Sequence, residues 1–173
     1  TKGLPLDAIS TIFEDRRGTI WIGSEGKGMF RFPGEQFVYF NLNSGIQSEL
    51  ITAGLETRSG NYLFGTYDKG LIEYSKNTSF ALKELPNSTL WALEKDNLGN
   101  IWLGSEAGLF ELLPSGKTLI FDEASGTPGE KVSTFYKEKN GEIWVGGSDG
   151  LSRIINGKIV RVESSETDQD IGT

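Results

Sequence analysis

The sequence of 173 residues contains no cysteine and no histidine, and it holds one methionine and five prolines. Without cysteine, the chain cannot form disulfides, thiolate nucleophiles or zinc–thiolate sites. Without histidine, it lacks the commonest general base and the commonest transition-metal ligand. These absences favour a binding or sensing module with no catalytic activity, and we expect no cofactor and no metal.

Positive charge is also scarce. Lysine and arginine number 17 against 24 acidic residues, which gives a net charge of -7, and the longest basic run is Arg16-Arg17. A nucleic-acid partner is not expected, because such binding needs clustered cations. No apolar stretch approaches the roughly 18 residues of a membrane span. Since the chain opens at Thr1 and its one methionine is Met29, we expect a piece of a longer protein whose membrane segments lie elsewhere.

Glycine, by contrast, is abundant, with 23 residues, and it marks four copies of one unit. The leading glycines are spaced by 42, 39 and 42 residues, and a second series repeats these spacings. The two series are Gly18, Gly60, Gly99 and Gly141, then Gly23, Gly65, Gly104 and Gly146. Trp21, Trp102 and Trp144 lie between them, with Leu63 in the second copy. We interpret these glycines and tryptophans as structural, serving tight turns and packing between units.

Each unit predicts four short strands separated by turns. A period of about 40 residues with four strands is typical of a β-propeller blade. The fold class is therefore all-β, with four blades of four antiparallel strands, the first strand of each innermost, as a fragment of a larger propeller. The blades are expected at about 1–42, 43–84, 85–124 and 125–163, followed by a polar tail, 164–173. Residues 90–95 have helical propensity, but their position in the repeat favours a strand.

Residues 3–24, which read GLPLDAISTIFEDRRGTIWIGS, resemble the two-component regulator propeller repeat. Residues 126–151 repeat the pattern, whereas the second copy departs from it at Leu63 and the third lacks the first glycine of its Gly-Leu-Pro step. The resemblance implies the periplasmic sensor part of a hybrid histidine kinase or a related diguanylate cyclase receptor. It also implies more blades than four, so we expect this chain to be one section of the propeller.

The loops that lead into the innermost strands and those between the second and third strands share one face of a propeller. Trp91 is exceptional there, because its column in the other copies holds the small residues Ser10, Thr52 and Ser133. Its indole either offers a stacking surface for a sugar or fills a gap between blades. The predicted ligand-binding residues are Glu25, Lys27, Tyr67, Asp68, Lys69, Trp91, Glu106 and Asp149, with Asp7, Gln47, Asn87 and Glu130 on the same face. This mixture suits a small polar or carbohydrate-like ligand.

Three alternatives remain open at this point. The carboxylates of Glu25, Asp68, Glu106 and Asp149 could ring a hard cation such as calcium, or they could simply be turn residues. A carbohydrate hydrolase or lyase could use paired carboxylates. However, the adjacent pairs Glu14-Asp15 and Asp122-Glu123 would point to opposite faces of a strand. The chain could also be an assembly scaffold, and we expect self-association through uncovered blade faces.

Overall fold

A computed structural model describes residues 7–75, 78–81, 85 and 89–163. Within these residues, sixteen strands form four antiparallel sheets of four, each in consecutive order. The first two blades comprise β1 Ile9–Glu14, β2 Ile20–Ser24, β3 Met29–Phe32, β4 Val38–Phe40, β5 Ile51–Glu56, β6 Tyr62–Thr66, β7 Leu71–Ser75 and β8 Thr78–Ala81. The last two comprise β9 Leu90–Lys95, β10 Ile101–Ser105, β11 Gly108–Leu112, β12 Thr118–Phe121, β13 Val132–Lys137, β14 Ile143–Gly147, β15 Gly150–Ile155 and β16 Lys158–Arg161.

The predicted all-β propeller fold is confirmed, and residues 90–95 form strand β9. Strand β9 pairs with β10 along its length, so sheet formation overrides its local helical propensity. Two short 3-10 helices, Leu42–Ser44 and Glu123–Ser125, were not predicted. Each ends at a glycine in the left-handed region. Among the described residues, no helix is long and apolar enough to cross a membrane.

The turn between the first two strands of a blade depends on an acidic residue and a glycine. In the first blade, the Asp15 carboxylate accepts the backbone N–H groups of Arg17 and Thr19 at 2.9 and 3.0 Å. Gly18 then adopts a φ of 79°, and its N–H donates to the Asp15 carbonyl. This is the turn chemistry that the sequence predicts.

The first strands of successive blades pack side by side, β1 on β5, β5 on β9 and β9 on β13. The second glycine series permits this approach. A Cβ atom on Gly23 would lie 2.6 Å from Cγ2 of Ile51, and one on Gly104 would lie 2.8 Å from the carbonyl oxygen of Val132. Among the strands described, β13 makes no contact of comparable extent with β1. The four blades therefore do not close into a ring.

The hydrophobic core lies between blades. Trp21 is 1% exposed and packs against five aromatic rings between the first and second blades. Trp102 is fully buried in the cluster between the third and fourth blades. Between the second and third blades, the buried cluster contains Leu63 and aliphatic neighbours from both sides. Trp21 and Trp102 thus serve packing between blades.

Candidate ligand-binding groove

An open groove of about 620 Å³ runs over the innermost strands of the first three blades. Its size falls within the range of small-molecule sites. Aliphatic, hydroxyl, carboxylate and aromatic groups all contribute to the surface. The lining residues are Ile9, Ser10, Glu25, Leu50, Ile51, Thr52, Tyr67 and Trp91.

Small hydroxyl residues join the innermost strands along this groove. The Ser10 hydroxyl donates to the carbonyl of Ile51, and the Thr52 hydroxyl donates to the carbonyl of Leu90. Each bond links one blade to the next. In the third blade the equivalent residue is Trp91, which has no hydroxyl group to donate to the carbonyl of the next first strand. The indole instead reaches side chains of three blades.

Trp91 is the centre of a four-residue cluster that we call the aromatic corner: Tyr67, Trp91, Glu106 and Lys131. The Tyr67 and Trp91 rings meet edge to face, with centroids 5.9 Å apart. The Trp91 indole N–H donates to Glu106 Oε2 at 2.6 Å. The Lys131 ammonium lies 4.3 Å from the centroid of the Trp91 ring and 3.4 Å from Glu106 Oε2. The cluster therefore combines two aromatic rings, an anion and a cation.

The charges of the aromatic corner stabilise each other. The hydrogen bond from Trp91 is the main cause that lowers the pKa of Glu106, and the Lys131 ammonium lowers it further. Glu106 therefore stays ionised at neutral pH and holds the indole in a fixed orientation. Tyr67 is 55% exposed, so its ring remains available to a ligand. Both aromatic rings border open space, as a stacking surface requires.

The structure brings together four of the predicted site residues. Glu25, Tyr67 and Trp91 line one groove, and Glu106 contacts Trp91 directly. Trp91 thus lines the groove and also contacts Lys131 of the neighbouring blade, and its role as a stacking surface stays a prediction. Lys131 was not among the predicted residues. Its signal in the sequence is its place at the end of the loop that leads into β13.

The remaining predicted residues lie elsewhere on the loops. The Asp68 carboxylate accepts the Ser48 hydroxyl at 2.5 Å. Lys27 and Lys69 are exposed, and their backbone N–H groups donate to the hydroxyls of Ser24 and Thr66, respectively, at the ends of β2 and β6. Asp149 borders a separate depression beside Arg161 in the fourth blade. Asp7 is half-buried, Gln47 and Glu130 are exposed, and Asn87 lies outside the described residues.

The carboxylates do not assemble into a metal site within the described part of the chain. No three acidic side chains there come close enough to share an ion. The adjacent acidic pairs are likewise engaged in local structure. Asp15 is 5% exposed and bonds Trp21 and Tyr62 in addition to its own turn. Asp122 caps the second 3-10 helix by accepting the N–H and hydroxyl of Ser125. The carboxylates of Asp15 and Asp122 therefore serve local structure.

Comparisons with known proteins agree with this architecture. The two-component regulator propeller family matches residues 3–26. The extracellular domain of a hybrid two-component system from B. thetaiotaomicron is 25% identical, with a TM-score of 0.78 over 92% of this chain and 22% of that one. A second extracellular domain from the same organism, of a one-component system, is 28% identical, with a TM-score of 0.76 over 93% of this chain.

The chain also covers 22% of that second protein, so it spans about a fifth of either relative. Virginiamycin B lyase from Staphylococcus aureus has a TM-score of 0.70 over 92% of this chain and 57% of that one, at 14% identity. That likeness shows a shared propeller fold alone. No curated protein matches the chain in sequence. The repeat, the sheet order and these relatives agree with the resemblance of the chain to the two-component regulator propeller repeat, and they show that it is a segment of a larger β-propeller.

Proposed function

We propose that this chain is part of an extracytoplasmic, periplasmic sensor propeller and that its groove binds a small polar or carbohydrate-like ligand. The aromatic corner carries the proposal. Tyr67 and Trp91 come from different blades and meet at 5.9 Å on the same groove. A ligand that contacts both rings would bridge two blades, which is how binding could reach the rest of a receptor. The extracellular domains described above support the location and the sensing role.

The chemistry of the groove favours a ligand rich in hydroxyl groups. Aromatic rings offer flat apolar surface to the C–H faces of a sugar, while Glu25 and Glu106 accept hydrogen bonds. The Lys131 ammonium provides a donor beside the Trp91 ring. Since the carboxylate of Glu106 already accepts the Trp91 indole, a ligand hydroxyl would use its remaining acceptor capacity. A lipid chain would offer no donor to the remaining acceptor capacity of Glu25 and Glu106.

Binding without catalysis is the better proposal for this groove. Asp15 lies outside the groove, and its pKa is lowered to about 2, so it cannot serve as a general acid near neutral pH. Glu106 is likewise held in its ionised form. An enzyme of the hydrolase type needs one carboxyl group that stays protonated beside another that does not. The ionised Glu106 does not meet the requirement for a protonated carboxyl group.

The proposal is tested by titrating the purified protein with neutral and acidic disaccharides and following the heat of binding. We expect saturable binding of at least one disaccharide, with an affinity that falls at least tenfold in Trp91→Ala and in Tyr67→Ala. The matched control is Tyr39→Ala, which removes an exposed tyrosine outside the groove and should leave the affinity unchanged. Retained affinity in folded Trp91→Ala would place the site elsewhere. Absence of binding by every disaccharide would contradict the proposed ligand class.

A further inference from the structure

The second blade differs from the others at one position of its interblade packing. Trp21 fills the space between the first and second blades and lies 4.3 Å, centroid to centroid, from Tyr62. Trp102 fills the equivalent space between the third and fourth blades, against Phe121. Between the second and third blades the same position holds Leu63, which is buried at 3% exposure. Leucine lacks the volume of an indole, so the space is incompletely filled.

A pocket of about 480 Å³ opens at this position. Leu63 of the second blade and Ile101 and Leu112 of the third contribute to its apolar lining. Arg58 lies at the rim, where its guanidinium donates to the carbonyls of Asn97 and Leu98 in the neighbouring turn. The pocket is separate from the groove, since the two share no lining residue. Its volume lies within the range of small-molecule sites.

The polar groups around the pocket also differ from those of the first blade. There, Asp15 accepts the indole N–H of Trp21 at 2.9 Å, and the Arg31 guanidinium lies 5.8 Å from the ring centroid. In the second blade, Glu73 occupies the position of Arg31. It lies opposite Leu63 on the adjacent strand, as Arg31 lies opposite Trp21. The carboxylate of Glu73 accepts the Asn61 amide at 2.5 Å and lines the pocket. An acceptor thus stands where the first blade presents a cation.

We propose that this pocket binds a small planar aromatic molecule of about indole size that carries an N–H group. The ring would occupy the apolar space that tryptophan fills in the neighbouring interfaces. The N–H group would donate to Glu73, in the manner that the Trp21 indole donates to Asp15. The ligand would contact both the second and the third blade, at the end of the sheets opposite the groove. This site is independent of the proposed function of the groove.

Indole itself is the probe for this proposal. The purified protein is titrated with indole while the backbone amides are followed by NMR. We expect saturable shifts at the amides of Gly99 and Gly116, which line the pocket, with a dissociation constant of about 1 mM or tighter. Leu63→Trp restores the tryptophan of the repeat and should weaken indole binding at least tenfold. It should also raise the thermal midpoint, because it fills the cavity.

The matched control is Leu151→Trp, which makes the same substitution at a leucine that is 47% exposed in the fourth blade. It should bind indole as the unchanged protein does. Absence of saturable shifts in the unchanged protein would overturn the proposal, and so would shifts confined to residues outside the pocket. Unchanged binding in folded Leu63→Trp would overturn it as well. If Leu63→Trp does not fold, the location of the shifts in the unchanged protein decides the question.

Discussion

The carboxylate of Asp15 accepts the indole N–H of Trp21 at 2.9 Å, and the Tyr62 hydroxyl of the next blade donates to the same oxygen at 2.8 Å. One buried carboxylate therefore fixes a turn, the central tryptophan of its own blade and the adjoining blade. The spacing of six residues recurs in the fourth blade, where Glu138 accepts the indole N–H of Trp144. In these two blades, an acidic residue six positions before tryptophan thus holds the indole in place.

The environment of Asp15 predicts acid sensitivity of the fold. Burial of the carboxyl acts to raise its pKa, but hydrogen bonds from Trp21, Thr19, Tyr62 and Arg17 outweigh burial and lower it from 3.8 to about 2. Because the folded-state pKa lies below the unfolded value, this contribution is present above about pH 4 and is lost as the pH falls towards 2. The difference corresponds to about 2 kcal/mol at neutral pH.

We expect Asp15→Asn to lower the free energy of unfolding by about 2 kcal/mol at pH 7 and to weaken its dependence on pH between 4 and 2. Urea unfolding at several pH values measures both effects. Asp149→Asn removes an exposed carboxylate of the same type and should leave the free energy nearly unchanged. An identical pH dependence in Asp15→Asn and the unchanged protein would show that Asp15 does not cause it.

The two buried tryptophans differ in how their N–H groups are satisfied. Trp21 bonds Asp15, whereas Trp102 Nε1 has no hydrogen-bond partner among the described residues. Asp96 is the counterpart of Asp15 in the third blade. Its Oδ2 accepts the side-chain amide of Asn100, whereas Oδ2 of Asp15 accepts the Trp21 indole. Trp21→Phe should therefore destabilise the protein by about 1–2 kcal/mol more than Trp102→Phe. Equal losses in chemical denaturation would show that the indole bond contributes little.

The second glycine series predicts a graded response to alanine. In Gly104→Ala, the new Cβ would lie 2.8 Å from a backbone oxygen of the fourth blade, which cannot move without shifting the blade. In Gly65→Ala, the nearest atom is the Cβ of Leu90 at 3.1 Å. We expect Gly104→Ala to cost about 1–3 kcal/mol and Gly65→Ala to cost less. Thermal unfolding of both variants measures the order, and the reverse order would contradict this account of blade spacing.

Much of this architecture could be predicted from the sequence because it follows a periodic rule. The repeated spacing of the two glycine series and of the tryptophans predicted four blades. Trp91 stood out because the aligned positions of the other copies hold small residues. The contact of Lys131 with the Trp91 ring could not be predicted in this way. It depends on the distance between side chains of adjacent blades, which a linear repeat does not encode. The 3-10 helices Leu42–Ser44 and Glu123–Ser125 were not predicted either, because a helix of three residues is too short to show a helical sequence period.

The outer face of the fourth blade predicts self-association. Tyr136 and Val160 are 68% and 48% exposed, although the equivalent face of the first blade packs against its neighbour. Sedimentation of the 173-residue chain should show concentration-dependent association. Tyr136→Glu should abolish this association. Ile12→Glu makes a comparable change on the exposed face of the first blade, at the other end of the array, and serves as a comparison. A strict monomer at high concentration would contradict this prediction.

The central claim is that a ligand in the groove drives a receptor response through Tyr67 and Trp91. It is tested most directly by measuring inducer-dependent output in cells whose native receptor carries Tyr67→Ala and Trp91→Ala, with Tyr39→Ala as the control. The account predicts that the double variant folds, reaches the same cellular level and loses the response, while the control responds normally. An unchanged response in the double variant would contradict the claim and would assign sensing to another part of the receptor.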